Sequence, residues 1–257
     1  MKLLIAILIG VLSMGQAWAW CEQPKLNDNY VFIDGCLIDG LTRVLKDNKW
    51  AFVDKEGEFV FSASQYDEVS FFSDGLAEVK KDDKYGFIDT SGKLVIPLQY
   101  DKTIGFSEGL AYVRIGNKFG FIDTKGQMVI DLQYDDVWSF SEGLAAVEKN
   151  GKWGFIDKAG KVVIPLQYDS AKYFSEGLAV VVKDGKYGMI DKSGKVIIPF
   201  RDNELDEFSQ GLASFEQDGK WGFWIKLIML LSNHNLMKIR ISLNGEWRQL
   251  KKMVSMG

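Results

Sequence analysis

The triplet Gly-Leu-Ala recurs at Gly75, Gly109, Gly143, Gly177 and Gly211, a constant step of 34 residues, with a degenerate precursor at Gly40-Leu41-Thr42. An aromatic-small pair keeps the same ruler: Trp50-Ala51, Tyr85-Gly86, Phe119-Gly120, Trp153-Gly154, Tyr187-Gly188 and Trp221-Gly222. The single 35-residue step, from Trp50 to Tyr85, comes from one extra residue in "FVFSASQYD". A fixed period of this kind constrains the architecture first, because each repeat is then one supersecondary unit that must meet its neighbours. Within a unit, "GLAVVVKDGKYGMIDKSGKVIIP" is punctuated by Asp184-Gly185 and Ser193-Gly194, which are hairpin signals between short β-rich runs. The pattern predicts three antiparallel strands near 178–183, 186–191 and 195–199, followed by a loop through "QYD" and "FSEG".

Strand alternation places Trp153 and Phe155 on one side of the middle strand and Gly154 and Ile156 on the other. Both faces are apolar, so Val147, Trp153, Phe155 and Ile164 are expected to be buried between successive units. A lone three-stranded meander has too little core to stand by itself and must bury its faces against its neighbours. The glycine beside each aromatic leaves room for a packed ring or a close backbone approach. The fold class that follows is all-β: a tandem array of three-stranded antiparallel β-meander repeats over residues 40–223, open or superhelical. A closed β-propeller is the alternative, although its blades usually hold four strands in about 40 residues or more.

The phrases "KWGFID", "GKVVIP", "QYD" and "FSEGLA", held together at one period over about five units, resemble the bacterial WG-repeat family, also called KWG repeats. The resemblance implies a secreted or envelope-associated repeat protein that works by interaction. It supplies no catalytic residues.

Residues 1–19 read as a secretory signal peptide: Lys2, an apolar core from Leu3 to Leu12, and a small-x-small cleavage signal at Ala17-Trp18-Ala19. The apolar run is shorter than the ~20 residues a membrane-spanning helix needs. Cleavage near Ala19 would leave a mature chain outside the cytoplasm, periplasmic or secreted, with no transmembrane segment. Trp20 occupies a place where a lipoprotein signal wants a small residue, which argues against a lipid on Cys21. Cys21 and Cys36 are the only cysteines, and an oxidising compartment favours a disulfide pinning the cap segment 20–39 over free thiols or a metal site. The formal charge of −4 becomes −5 once Lys2 is removed, a mild excess that gives no support to nucleic acid as a partner.

Carboxylates recur in register: Asp89, Asp123, Asp157 and Asp191; Asp67, Asp101, Asp135 and Asp169; and Glu108, Glu142 and Glu176. A general acid and base need environments that push their pKa values apart, whereas these environments repeat, so turn and loop acids accepting backbone hydrogen bonds are the expectation. Neither an EF-hand spacing nor the glycine-rich calcium repeat is present, and no cofactor is implied. The repeated aromatics interchange Trp, Tyr and Phe, which suits core filling better than sugar stacking. One loop column behaves differently: Ser70, Ile104, Trp138, Lys172 and Asp206 share no chemistry. A variable column on a regular scaffold is where a repeat protein can read a partner, and Trp138, flanked by Tyr173 and with Ile104 one unit earlier, is the candidate anchor. The competing reading folds Trp138 back onto the array. The function expected is a noncatalytic extracytoplasmic module binding a protein or envelope glycan. A polymer-acting hydrolase using loop carboxylates and a purely structural spacer are the alternatives.

At Lys220 to Phe223 "KWGF" should continue as "IDK.GKVVIP" and instead becomes "WIKLIMLLSNHNLMKIRISLNGEWRQLKKMVSMG". A frame that takes the last base of one codon and the first two of the next forces Asp at Trp224 into Ile225 and Glu at Met237 into Lys238. With stops excluded it also forces Gln at His234 into Asn235. The permitted residues include "DKT(D/N)NV(V/I)I(K/E/Q)PQFDE", which aligns without a gap to "DKSGKVIIP" and "QYD". Residues 224–257 are therefore read as a frameshifted tail, with no function at His234; a natural cap is the alternative. Resequencing the gene should show the alternate frame open through this stretch, and stops before the forced Glu would defeat the reading.

Overall fold

The computed structural model describes residues 24–25, 30, 32–33, 36–202, 204–217 and 220–225. The leader 1–19, Cys21 with the expected bridge to Cys36, and His234 lie outside the described residues. Every regular element among those described is a β-strand, and the strands form five four-stranded antiparallel sheets and one two-stranded sheet, each from consecutive strands. No strand joins one sheet to another and no barrel closes among the described residues, so the architecture is an all-β tandem array. The chain divides into two compact units, residues 1–99 and 100–257.

The sheet of Asp136–Val137, Leu144–Lys149, Lys152–Asp157 and Val162–Tyr168 shows the plan. In order these are a short strand, a GLA strand, a middle strand and a proline strand. In the following repeat the latter three span Leu178–Lys183, Lys186–Asp191 and Val196–Arg201, close to the positions that the turn signals predict. The short strand is an addition to the expected three. Just past "QYD", Asp136 and Val137 pair with Glu148 and Val147 of the GLA strand. Two residues carry no readable alternation, so the sequence showed only a loop there.

The two faces of the middle strand go to different neighbours. Ala145, Val147 and Ile156 join Phe119, Phe121, Ile130 and Tyr134 of the preceding sheet in one core cluster. Ala146, Phe155, Ile164 and Tyr168 join Ala179, Val181 and Ile190 of the following sheet in the next. The phenylalanine of "FS" packs back onto the middle-strand phenylalanine of the repeat before it in two successive repeats, with Phe140 4.9 Å from Phe121 and Phe174 4.8 Å from Phe155 between ring centroids. Phe52 and Phe72 repeat the contact at 5.0 Å in the first unit. Each fully buried ring contributes about 2–3 kcal/mol by removal from water. Of the four side chains expected between units, Val147, Phe155 and Ile164 are buried, while Trp153 is only half-buried. Trp153 lies near the start of its strand, opposite Tyr168, where the ring covers the rim of the cluster instead of its centre.

The glycine of the aromatic-glycine pair is explained by a close backbone approach. Trp153 pairs with Tyr168 and Phe155 with Ile164, so Gly154 alone faces Pro165, Leu166 and Gln167. This bulge brings the proline strand down onto the glycine, and a Cβ on Gly154 would lie 2.6 Å from the Ile164 carbonyl oxygen. Gly86 and Gly120 meet the same obstacle at 2.5 and 2.4 Å. The first sheet supplies the control: Ala51 replaces glycine, and there Ala51 pairs with Ser62 and Phe52 with Phe61 with no residues inserted. Gly154→Ala is expected to lower stability by about 2 kcal/mol or more through this clash, whereas Ala51→Gly should cost about 1 kcal/mol or less, as measured by denaturant midpoints.

Candidate functional site

The recurring acids are committed to the scaffold. Asp157 Oδ1 accepts the amides of Ala159 and Lys161 at 3.0 and 2.9 Å, an Asx turn that shapes the hairpin to the proline strand. Asp54, Asp89, Asp123 and Asp191 do the same in their own repeats. The acid of "QYD" reaches the opposite hairpin: Asp135 Oδ2 accepts the Asn150 amide at 2.8 Å and Asp101 Oδ2 the Gly116 amide at 2.7 Å. Lysines on the middle strands add ion pairs, Lys118 to Asp135 and Lys152 to Asp169. Hydrogen bonds from these lysines, with the backbone donors, hold both aspartates below the usual carboxylate range.

The glutamate of "FSEG" has a different task. Glu142 and Gly143 both have positive φ, 54° and 86°, closing a tight hairpin in which Ser141 and Leu144 exchange backbone hydrogen bonds. A glutamate rarely adopts this conformation. Here it aims the carboxylate at the next repeat, where Glu142 accepts the Gly177 amide at 2.9 Å. Glu108 accepts the Gly143 amide at 3.0 Å and Glu176 the Gly211 amide at 2.8 Å. Asp39 accepts the Gly75 amide at 3.0 Å, so the degenerate first repeat keeps the contact. The neighbouring serine adds a second link: Ser107, Ser141 and Ser175 Oγ donate to the carbonyls of Phe140, Phe174 and Phe208 at 2.9, 2.7 and 2.7 Å. "FSEG" is thus an inter-repeat clasp. Burial raises the Glu108 pKa, but hydrogen bonds from Lys158 and the Gly143 amide outweigh it and leave the carboxyl below its usual range.

The variable column follows the short strand. Trp138 and Ile104 are exposed, at 44% and 45%. Lys172, Asp206 and Ser70 are half-buried. The structure brings Trp138 and Tyr173 together edge to face, with ring centroids 6.0 Å apart at 65°. Trp138 Nε1 donates to the Ala171 carbonyl at 3.0 Å, which fixes the indole against the next repeat while leaving much of it in solvent. Tyr173 Oη donates to Glu207 at 3.3 Å, and Lys172 Nζ pairs with Glu207 at 2.8 Å and Asp206 at 3.8 Å. Ile104 belongs to the same column, one repeat earlier, as an exposed aliphatic side chain. Ser70 turns to its own sheet, accepting the Glu78 amide at 2.8 Å.

Two features were missed in the sequence. Arg43 stacks between Trp50 and Phe71, 4.4 Å from each ring centroid, and donates to the Val69 carbonyl. Glu78 occupies the position after Gly-Leu-Ala, which Ala146 and Val180 fill elsewhere as core residues. Its Oε2 is buried without a hydrogen-bond partner, and burial, with the nearby Glu68 charge, pushes the carboxyl up to about 7. The signal available was the single acid in a column that elsewhere holds Arg43, Tyr112, Ala146, Val180 and Ser214. Among the described residues no group of three or more His, Cys, Asp or Glu is placed to hold a metal ion.

The family model described as "WG containing repeat" matches residues 50–85, 85–119, 119–153, 153–187 and 187–221. No curated protein matches the chain. Among solved structures, a eukaryotic initiation factor is similar at 14% identity and a TM-score of 0.54, with 79% of this chain and 65% of that chain covered. Hsv2 of Kluyveromyces lactis is 8% identical with a TM-score of 0.48, covering 83% of this chain and 76% of that one. PorZ, a bacterial surface component of the type-IX secretion system of Porphyromonas gingivalis, is 11% identical with a TM-score of 0.38, covering 80% and 33%. The chain thus spans just under two thirds of the initiation factor and about a third of PorZ. At these identities the likeness to the initiation factor concerns the fold alone.

Glu78 makes stability depend on pH. Its folded pKa lies above the unfolded value of 4.5, so the folded state binds the extra proton and stability falls as pH rises from 4.5 to about 7. Glu78→Gln should remove that slope and stabilise the protein by about 2 kcal/mol above pH 7, as read from denaturant midpoints across the pH range.

Proposed function

Because the chain belongs to the WG-repeat family, its model matching five consecutive repeats, we propose that it is a noncatalytic interaction module that engages a polypeptide partner through the surface of Ile104, Trp138 and Tyr173. The observation that carries this reading is the half-exposed indole of Trp138, pinned by its own N–H to the next repeat and backed by Tyr173. A large aromatic held rigidly in solvent presents contact area at little entropic cost, which is the character of an interface anchor. The leader-like residues 1–19 favour a site of action outside the cytoplasm, and no described helix is long and apolar enough to cross a membrane. The hydrolase alternative draws little support, because the repeat acids hold backbone amides and lysines of the scaffold. The spacer alternative leaves the exposure of Trp138 without a role.

Affinity capture from an envelope extract tests the reading. The intact protein should retain a partner that Trp138→Ala loses, while Glu142→Gln, which weakens a clasp, should lower stability and leave capture unchanged. A capture profile indifferent to Trp138 would exclude this surface as the binding face.

A further inference from the structure

The chemistry around Trp138 narrows the partner. The indole N–H is spent on Ala171 and the Tyr173 hydroxyl on Glu207, so the two rings offer π faces and edges, not free polar groups. A sugar needs hydrogen-bonding groups around its stacking platform, and the polar neighbours here, Lys172, Asp206 and Glu207, already bind one another. Electron-rich ring faces suit proline rings and guanidinium groups. Charge points the same way. Glu204, Asp206 and Glu207 surround the one lysine, Lys172, and Glu204 is exposed, so this end of the column carries excess negative charge. The column also has a pitch. Ile104, Trp138 and Lys172 occupy equivalent places on successive face-packed sheets, which lie about 10 Å apart. A polyproline II helix rises about 9 Å per three-residue turn, so every third residue meets an equivalent site. An extended β-strand matches poorly, because residues three apart point to opposite faces.

We infer that the Ile104–Trp138–Tyr173 surface takes a basic, proline-rich polypeptide in the polyproline II conformation, with proline rings on Ile104 and Trp138 and a basic side chain directed to the Tyr173 ring and the exposed Glu204. The inference rests on the Trp138 surface being the binding face. No covalent step is involved, and the ligand contributes the preformed conformation that lowers the ordering cost of binding.

The test uses the full chain and a fluorescently labelled Pro-Pro-Arg repeat peptide in anisotropy titrations, with Gly-Gly-Arg and all-proline peptides and a soluble β-glucan oligosaccharide as comparisons. Saturable binding of Pro-Pro-Arg is expected, with Gly-Gly-Arg at least about tenfold weaker. Trp138→Ala should weaken Pro-Pro-Arg about tenfold or more, while Trp138→Phe, which keeps a ring, should hold it within about threefold. Far-UV circular dichroism shows that each variant is folded. Glu204→Lys should weaken Pro-Pro-Arg and flatten its salt dependence while leaving the all-proline peptide unchanged. Equal binding of Gly-Gly-Arg, absence of Pro-Pro-Arg binding, or binding indifferent to Trp138 would overturn the inference. If the oligosaccharide alone binds in a Trp138-dependent way, the polyproline assignment falls and the binding face stands. If neither these probes nor envelope capture depends on Trp138, both fall.

Discussion

The structure depends on face-to-face burial between successive repeats. A four-stranded sheet of this size has two apolar faces, and no helix among the described residues covers either, so its middle strand is stable only between neighbours. The sequence meets this demand with an asymmetry across each contact. Phe155, Ile164 and Tyr168 project forward while Ala179, Val181 and Ile190 of the next sheet receive them, and Phe174 returns to pack at a tilt against Phe155. Smaller residues opposite larger ones let the two layers interdigitate at interior density. The same asymmetry recurs one sheet earlier, with Phe121, Ile130 and Tyr134 against Ala145, Val147 and Ile156. A repeat therefore specifies half of each of two cores, and its period is fixed because both halves must arrive in register.

Polar contacts supply direction where apolar burial is unspecific. Hydrophobic faces tolerate sliding, but the serine and glutamate of "FSEG" place one hydroxyl on a carbonyl and one carboxylate on an amide of the next repeat. These bonds sit at the hairpin, where Glu142 holds a conformation costly for a side chain bearing a Cβ. Such strain persists only where surrounding contacts compensate, and the carboxylate-to-amide hydrogen bond is of the strong, charge-assisted kind. The acids that seemed available for chemistry are in this way consumed by alignment. A catalytic pair would require at least one carboxyl whose environment departs from its counterparts, and among the described residues Glu78 departs most strongly, through burial.

The period, the three main strands and the two-faced middle strand were legible in the sequence because each is written in repeated letters. Gly154 was legible as an exception to strand propensity, and the structure chooses between its two readings: the backbone of Pro165 and Leu166, not a ring, occupies the space. The two-residue short strand was not legible, since pairing of Asp136 and Val137 is imposed by the adjacent GLA strand. The clasp was illegible for another reason. Glu142 and the Gly177 amide are 35 positions apart, and nothing in either residue announces the partner. The sequence named Tyr173 as a neighbour of Trp138, but Tyr173 lies one place past the residue equivalent to Trp138, and the edge-to-face contact, like the roles of Lys172 and Glu207 beside it, required the geometry.

A repeated fold also repeats its liabilities, and this separates scaffold from recognition surface. Each proline strand forms the outer edge of its sheet and exposes an apolar doublet: Leu94-Val95, Met128-Val129 and Val162-Val163. Exposed apolar edges invite pairing with other chains. In the strands that begin at Leu94, Met128, Val162 and Val196, the residue three places on answers this: Pro97, Pro165 and Pro199 lack the N–H a ladder needs and an exposed Asp131 puts a charge there instead, whereas the first sheet, with Phe59-Val60 exposed, has Ser62 at that position. The bulge opposite each glycine twists the same strand out of regular register. Edges that most repeats guard by similar means are poorly suited to reading one partner, because they differ little from one repeat to the next. Discrimination requires positions that the packing leaves unconstrained, and the column of Ile104, Trp138, Lys172 and Asp206 is such a set, differing in size, charge and ring character while the backbone beneath it stays the same.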